Sequence, residues 1–319
     1  MNPKWLLDGA EDFEPRGTVL SVGRSLLAFA QLTVLLASPD RVLFSSTPAA
    51  SPAQLCSGTN SFTLWCVTGV GVQTHGLGGA VASAILIAVV AGYHPRRLCI
   101  PHWYVTFSLA ARMTAGNGGE NAAEIFSLLL IPLCLGDTRA WHWQRPDRPV
   151  DPVWRGAAFA AHLLLRCQIL VVYLEAALSK VEYPAWRHGT ALRTLLYDPH
   201  YGLPPALQPI ADAAFAVPGT ARAATWGVVT TEIFIALSML FGLRTRRAGL
   251  VAAVCLHCAI IVAMGLVSFG LIMIALLATA SGGSFQSGPR IDPRAADPAD
   301  AGLHPADPTA SAIEKTASP

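Results

Sequence analysis

WRGAAFAAHLLLRCQILVVYLEAALSKV, residues Trp154–Val181, followed by EYPAWRHGTALRTLLYDPHYG, residues Glu182–Gly202, carries ionisable groups deep into an apolar segment. At about 100° per residue on a helix, His162, Arg166, Tyr173 and Lys180 fall on one face. Gln168, Glu175 and Ser179 fall roughly opposite. A charge at the centre of a bilayer costs about 2.5–3.5 kcal/mol or more, so such groups are expected to face the bundle interior or water. An intramembrane ionisable residue therefore marks a candidate site. The plainer alternative makes Arg166 and Glu175 ion-pair partners that only fix helix packing.

Composition supports reading this stretch as a membrane helix. Of 319 residues, 53% are hydrophobic and only 13% are charged, and the mean hydropathy is +0.46. A soluble chain carries about 25% charged residues. Several windows approach the roughly 20 apolar residues that cross a bilayer. The expected fold is all-α: a polytopic transmembrane helical bundle of about six to eight membrane segments, some short or re-entrant. A net charge of +2 gives no reason to expect a nucleic-acid partner. Residues 1–16 are polar and mixed in charge, and no small-residue cleavage site follows. The first apolar segment thus reads as a retained helix rather than a signal peptide.

Outward from the organising helix, spans are expected at about Thr18–Ser38, Leu77–Tyr93, Ala122–Leu135 and Ala223–Leu243. A short apolar piece is expected at Trp103–Met113, and an amphipathic one at Gly189–Tyr197. The run Leu250–Ala280 is long for one span and reads as two short helices turning near Gly265–Gly270. Trp141, Trp143 and Trp154 flank a loop rich in Arg and Pro, as an aromatic belt at the headgroup level would. Three regions follow: a cytoplasmic arm (1–16), a transmembrane domain (17–281) and a disordered Pro/Ala/Asp-rich tail (282–319).

Lys and Arg in short loops mark the cytoplasmic side. Arg96-Arg97, then Arg139, Arg145 and Arg148, then Arg244, Arg246 and Arg247 place the amino terminus inside. The outer side then collects Asn117, Glu120, Asn121, Glu124, Lys180, Glu182, Trp186, His188, Asp198 and His200. Cys56 and Cys66 share an outer loop and could form a disulfide there. The other five cysteines read as small core residues. Cys255-Leu-His-Cys258 offers at most three ligands on one helix and no second cluster, so no metal is expected.

A lysine at the mouth of a membrane cavity loses its proton readily when desolvated and can then act as base or nucleophile. Glu120 is a carboxylate that could pair with Lys180. Alternatively, Lys180 snorkels and the glycine turn merely joins helices. No GxGxxG, P-loop, HExxH or Ser-His-Asp signature is present.

The block Asn117-Gly-Gly-Glu-Asn-Ala-Ala-Glu through Trp143 resembles the sporulation-delaying protein B family. The likeness continues through Gly92-Tyr93-His-Pro-Arg96, His102-Trp103, Arg166-Cys-Gln168, Tyr173, Lys180, Trp186-Arg-His-Gly189 and Asp198-Pro-His200. That family is similar in turn to the horizontally transferred transmembrane domain superfamily, which includes the vitamin K-dependent gamma-carboxylases. The resemblance implies maturation or release of a small secreted antimicrobial (toxin) peptide in a bacterial inner membrane. Its partners would be the peptide precursor, neighbouring maturation proteins and the bilayer. The carboxylases imply, as an alternative, a quinone-type cofactor with Lys180 as base before Trp186–Gly189. Ala122 stands where their catalytic histidine would fall, which argues against that chemistry. A non-catalytic immunity or scaffold protein is the third reading. Fold alone does not choose among them.

Overall fold

In the computed structural model, residues 11, 13–39, 43, 56–69, 76–113, 118–282 and 284–285 are described. Asn117, residues 1–10 and the expected tail from 286 onward lie outside them. The chain forms a helical bundle, in which twelve helices are labelled here. They are α1 (Thr18–Ala37), α2 (Leu64–Val67), α3 (Leu77–Ala91), α4 (Pro95–Arg112), α5 (Gly118–Leu135), α6 (Pro152–Glu182), α7 (Pro184–His188), α8 (Ala191–Leu196), α9 (Gln208–Ala216), α10 (Thr220–Ser238), α11 (Leu243–Met264) and α12 (Val267–Ser281). Strands β1 (Phe13–Glu14) and β2 (Ser284–Phe285) pair antiparallel.

Four helices, α1, α5, α6 and α11, are long and apolar enough to cross a membrane, and α3 and α12 are shorter apolar helices. The protein is a membrane protein of the helical class. At 1.5 Å per residue, the 31 residues of α6 outrun the hydrocarbon core. Its Lys180 end therefore lies near one interface.

α12 is the inner helix, with Ile272, Met273 and Ala275 through Ser281 all buried. It lies closely along α1. A Cβ at Gly23 would stand 2.6 Å from Thr279 Cγ2 and 2.8 Å from the Ala275 carbonyl oxygen. Lipid tails are as apolar as leucine, so helices in a membrane gain from such close approach rather than from hydrophobic burial. The run 250–280 does break. α11 ends on Gly265 in the left-handed region (φ 68°), which glycine adopts without a Cβ penalty, and α12 returns against α11.

Two boundaries differ from the pattern. Arg244–Arg247, expected to end the preceding span, form the first turn of α11 after Gly242. Phe13, expected in an exposed arm, is 1% exposed and stacks edge-on against Phe159 at 5.5 Å. Arg16 fixes that arm through Glu14 (2.7 and 2.8 Å) and the Arg148 carbonyl (2.8 Å). In the 137–151 loop, Arg139 grips Asp137 (2.9 and 2.7 Å) and donates to the carbonyls of His142 and Gln144. Trp141 and Trp143 are exposed there, whereas Trp154 is half-buried and donates through Nε1 to the Pro132 carbonyl.

Candidate functional site

α6 begins where Asp151 caps it, its side chain accepting from the Trp154 amide at 2.9 Å, with Pro152 in the first turn. It stops at Tyr183 because the residue before Pro184 is pushed out of helical geometry. α7 then folds back and closes on Gly189 (φ 76°). A Cβ at Gly189 would meet Arg222 Cγ at 2.4 Å, so α7 can lie against α10 only with glycine there. Thr225 sits at the join: its hydroxyl donates to the Ala221 carbonyl of its own helix (2.8 Å), lies 3.2 Å from the Gly189 carbonyl and accepts from the Leu192 amide (3.3 Å).

This turn roofs a cavity of about 370 Å³ walled by α6, α7, α8, α10, α11 and α12, with Gly118 of α5 at its edge. Most of its lining is apolar, and two polar pairs belong to its wall. Lys180 Nζ donates to Glu232 Oε1 at 2.8 Å and to the Ala176 carbonyl at 3.2 Å, and sits 5.5 Å from the centroid of the Trp186 ring. Two turns earlier on the same face, Tyr173 Oη meets His257 Nε2 at 2.6 Å. A charge pair and a phenol–imidazole pair in apolar surroundings can hold or pass a proton. Among the described residues no group of three or more His, Cys, Asp or Glu could hold a metal ion.

Compared with known proteins, the chain is 31% identical over 277 residues to the sporulation-delaying protein SdpB of Bacillus subtilis strain 168, covering 85% of this chain and 83% of that protein. The chain belongs to the SdpB family. An uncharacterised protein of the same organism, YitO, is 29% identical over 281 residues, covering 86% of this chain and 89% of that one. No protein-family model matches, and neither does any solved structure.

Of the candidate residues in this SdpB-family chain, Lys180, Tyr173 and Trp186 come together at the cavity. The carboxylate on Lys180 is Glu232; Glu120, 6% exposed, lines a separate hollow with Gln31 and Thr106. Asn121 is exposed on α5, and Ala122 is buried. Among the described residues Arg166 pairs with no carboxylate. Its Nε donates to the Met239 carbonyl at 2.8 Å, and its Nη2 reaches the same oxygen. It thereby satisfies a carbonyl at the α10 carboxyl end, where four such groups lack helical partners. Glu175 is exposed on the far side of α6, which overturns the alternative reading of Arg166 and Glu175 as an ion pair: nine residues on a helix point these side chains apart.

His188 is exposed on α7. Asp198 forms a surface turn, its Oδ1 accepting from the amides of His200 (2.8 Å) and Tyr201 (3.0 Å). These two bonds hold its carboxyl below the usual range. The exposed His200 ring lies 3.9 Å away.

Cys56 and Cys66 are joined as a disulfide, with Cα atoms 5.6 Å apart. Cys99 and Cys134 are buried, but Cys167, Cys255 and Cys258 are exposed. Those three lie on outward helix faces rather than in the core.

Glu232 and His257 escaped the sequence reading. Glu232 carries the lone acidic side chain of α10, which is itself an intramembrane signal. His257 turns inward on α11, whereas its neighbours Cys255 and Cys258 face outward.

Proposed function

We propose that this protein is the SdpB-type membrane factor that matures or releases a small secreted antimicrobial (toxin) peptide. It would work in a bacterial inner membrane with its amino terminus cytoplasmic, alongside neighbouring maturation proteins. The observation that carries the reading is the Lys180–Glu232 pair held at 2.8 Å in an apolar cavity. Such a pair is expensive to desolvate and a weak source of stability, which favours a role in handling a bound chain. Membership of a family whose named member is sporulation-delaying protein SdpB supports the same conclusion.

The test is a mass spectrum of secreted peptides from cells carrying the native gene, Lys180→Ala or a deletion, with membrane levels of the protein matched. A peptide that disappears or changes mass in both altered strains supports the proposal. If only the deletion acts, the protein is a scaffold or export partner. No change in either strain removes the role.

A further inference from the structure

Two stretches far apart in the chain are joined at one end of the bundle. Tyr93 pairs with Trp141 as an antiparallel bridge. The His94 amide donates to the Ala140 carbonyl at 2.8 Å, and the His142 amide to the Gly92 carbonyl at 2.9 Å. The join lies where apolar helices stop. Trp143 Nε1 donates to the carbonyl of Ala91, the last residue of α3, and the same loop connects the end of α5 at Leu135 to the start of α6 at Pro152.

The bridge sets Arg96 and Arg97, in the first turn of α4, beside the arginines of the 137–151 loop. Two open hollows adjoin it and share Thr138. One, of about 260 Å³, is lined by His94, Arg96, Arg97 and Asp137 as well. The other, of about 430 Å³, takes in Arg139, Arg145, Asp147 and Arg148. The two walls thus hold five arginines against two aspartates, and Asp137 is already gripped by Arg139 at 2.7 Å. Arg96, Arg97, Arg145 and Arg148 are exposed, and none of the four has a carboxylate partner among the described residues. Arg96 and Arg97 also stand at the positive end of the α4 dipole, which an added cation destabilises and an anion would offset.

We propose that these hollows hold the phosphate of an anionic phospholipid headgroup. A guanidinium carries a rigid fork of N–H donors that matches phosphate oxygens, and the charged cations of both walls are arginine rather than lysine. Tyr93, Trp141 and Trp143 are 42%, 41% and 49% exposed beside them. Amphipathic rings of this kind settle at the headgroup level, and that aromatic rim favours a phosphate anchored in the bilayer over one free in solution. A choline head would bring its own cation among the arginines, so a net-anionic head is the better match. The site lies at the opposite end of α6 from Lys180 and does not depend on the peptide-maturation reading.

The test uses the native full chain in phosphatidylcholine vesicles at physiological salt. The vesicles carry a small fraction of phosphatidylglycerol or phosphatidylcholine with a photoreactive diazirine in its headgroup, and crosslinks are mapped by mass spectrometry. Phosphatidylglycerol should label residues 93–97 and 138–148 more than phosphatidylcholine does, and millimolar inorganic pyrophosphate should leave that labelling in place. Replacing one arginine of each hollow, Arg97→Gln with Arg145→Gln, should lower it about thirtyfold. Asp147→Asn, which removes an acidic group from the wall, should raise it, so the proposal stays testable if the double variant folds poorly. Equal labelling by the two lipids, or labelling that neither variant moves, would overturn the proposal. Displacement of phosphatidylglycerol by pyrophosphate would also overturn it, and would assign the hollows to a soluble phosphate instead.

Discussion

Lys180 Nζ and Glu232 Oε1 meet at 2.8 Å, though 52 positions separate them in the chain. Their side chains are 24% and 9% exposed, and the space around them is apolar. Neither charge would be tolerable there alone, so each explains the presence of the other. The pair also bridges α6 to α10 beside the roof formed by α7, which couples the cavity to the folding of this half of the bundle.

Removing one member should therefore harm the protein more than removing both. Lys180→Met leaves the Glu232 carboxylate buried without its cation, and breaking a buried pair this way costs about 3–5 kcal/mol. The partial exposure of Lys180 places the expected loss at the low end. Combining Lys180→Met with Glu232→Leu should recover most of it. Thermal unfolding of detergent-purified protein measures both, and an additive double variant would mean that the two charges act independently.

Helix class and the inward face of α6 were legible because hydropathy and the 3.6-residue period are local properties. His162 and Tyr173 are buried, and Glu175 and Ser179 exposed, as a single helical wheel divides them. The hairpin at Gly265 was legible because the largely apolar run Leu250–Ala280 overfills one span. The partners of Lys180 and Tyr173 were not, since Glu232 and His257 lie on helices 52 and 84 residues away, and pairing across a bundle depends on which faces meet. The same ambiguity hid the exposure of Cys167, Cys255 and Cys258, because an apolar helix face can turn to lipid as readily as to the core.

Gly189 and Gly156 should respond oppositely to alanine. At Gly189 the left-handed backbone and the 2.4 Å approach of Arg222 Cγ both oppose a Cβ, a strain of about 1–3 kcal/mol. Gly156 lies inside α6 with nothing within 4 Å of its Cβ position, and alanine in a helix interior gains up to about 1 kcal/mol. Unfolding midpoints should fall for Gly189→Ala and hold or rise for Gly156→Ala. A tolerated Gly189→Ala would mean that the α7 roof is not clasped to α10 as described.

Acid should weaken the loop around His142. Burial first, then the Arg24 and Arg139 charges, push this imidazole down from 6.5 to about 4. The unfolded chain begins to take up a proton near 6.5 while the folded one resists until about 4. The contribution is therefore complete above 6.5 and is lost as pH falls between those values, because stability rises with pH wherever the unfolded state holds more protons. Unfolding midpoints measured across that window should drop for the native chain and drop less for His142→Gln. An identical slope in the variant would remove His142 as the cause.

The proposed orientation can be read with two thiol sites on opposite ends of the bundle. In that proposed orientation the Arg139–Arg148 loop would be cytoplasmic by the positive-inside rule and the Cys56–Cys66 loop outside, where an oxidising compartment would preserve the bond. Both cysteines are partly accessible, and Arg145 is exposed in the basic loop. The exposed Cys167, Cys255 and Cys258 lie within α6 and α11, where a charged reagent is kept out by lipid. A membrane-impermeant maleimide applied to spheroplasts should thus react at Cys56 and Cys66 only after reduction. A thiol placed by Arg145→Cys should react only once the membrane is opened. Labelling of Arg145→Cys in sealed cells, with Cys56 and Cys66 protected, would invert the topology and move the mouth of the Lys180 cavity to the cytoplasmic side, where a secreted peptide would have to be met before export rather than after it.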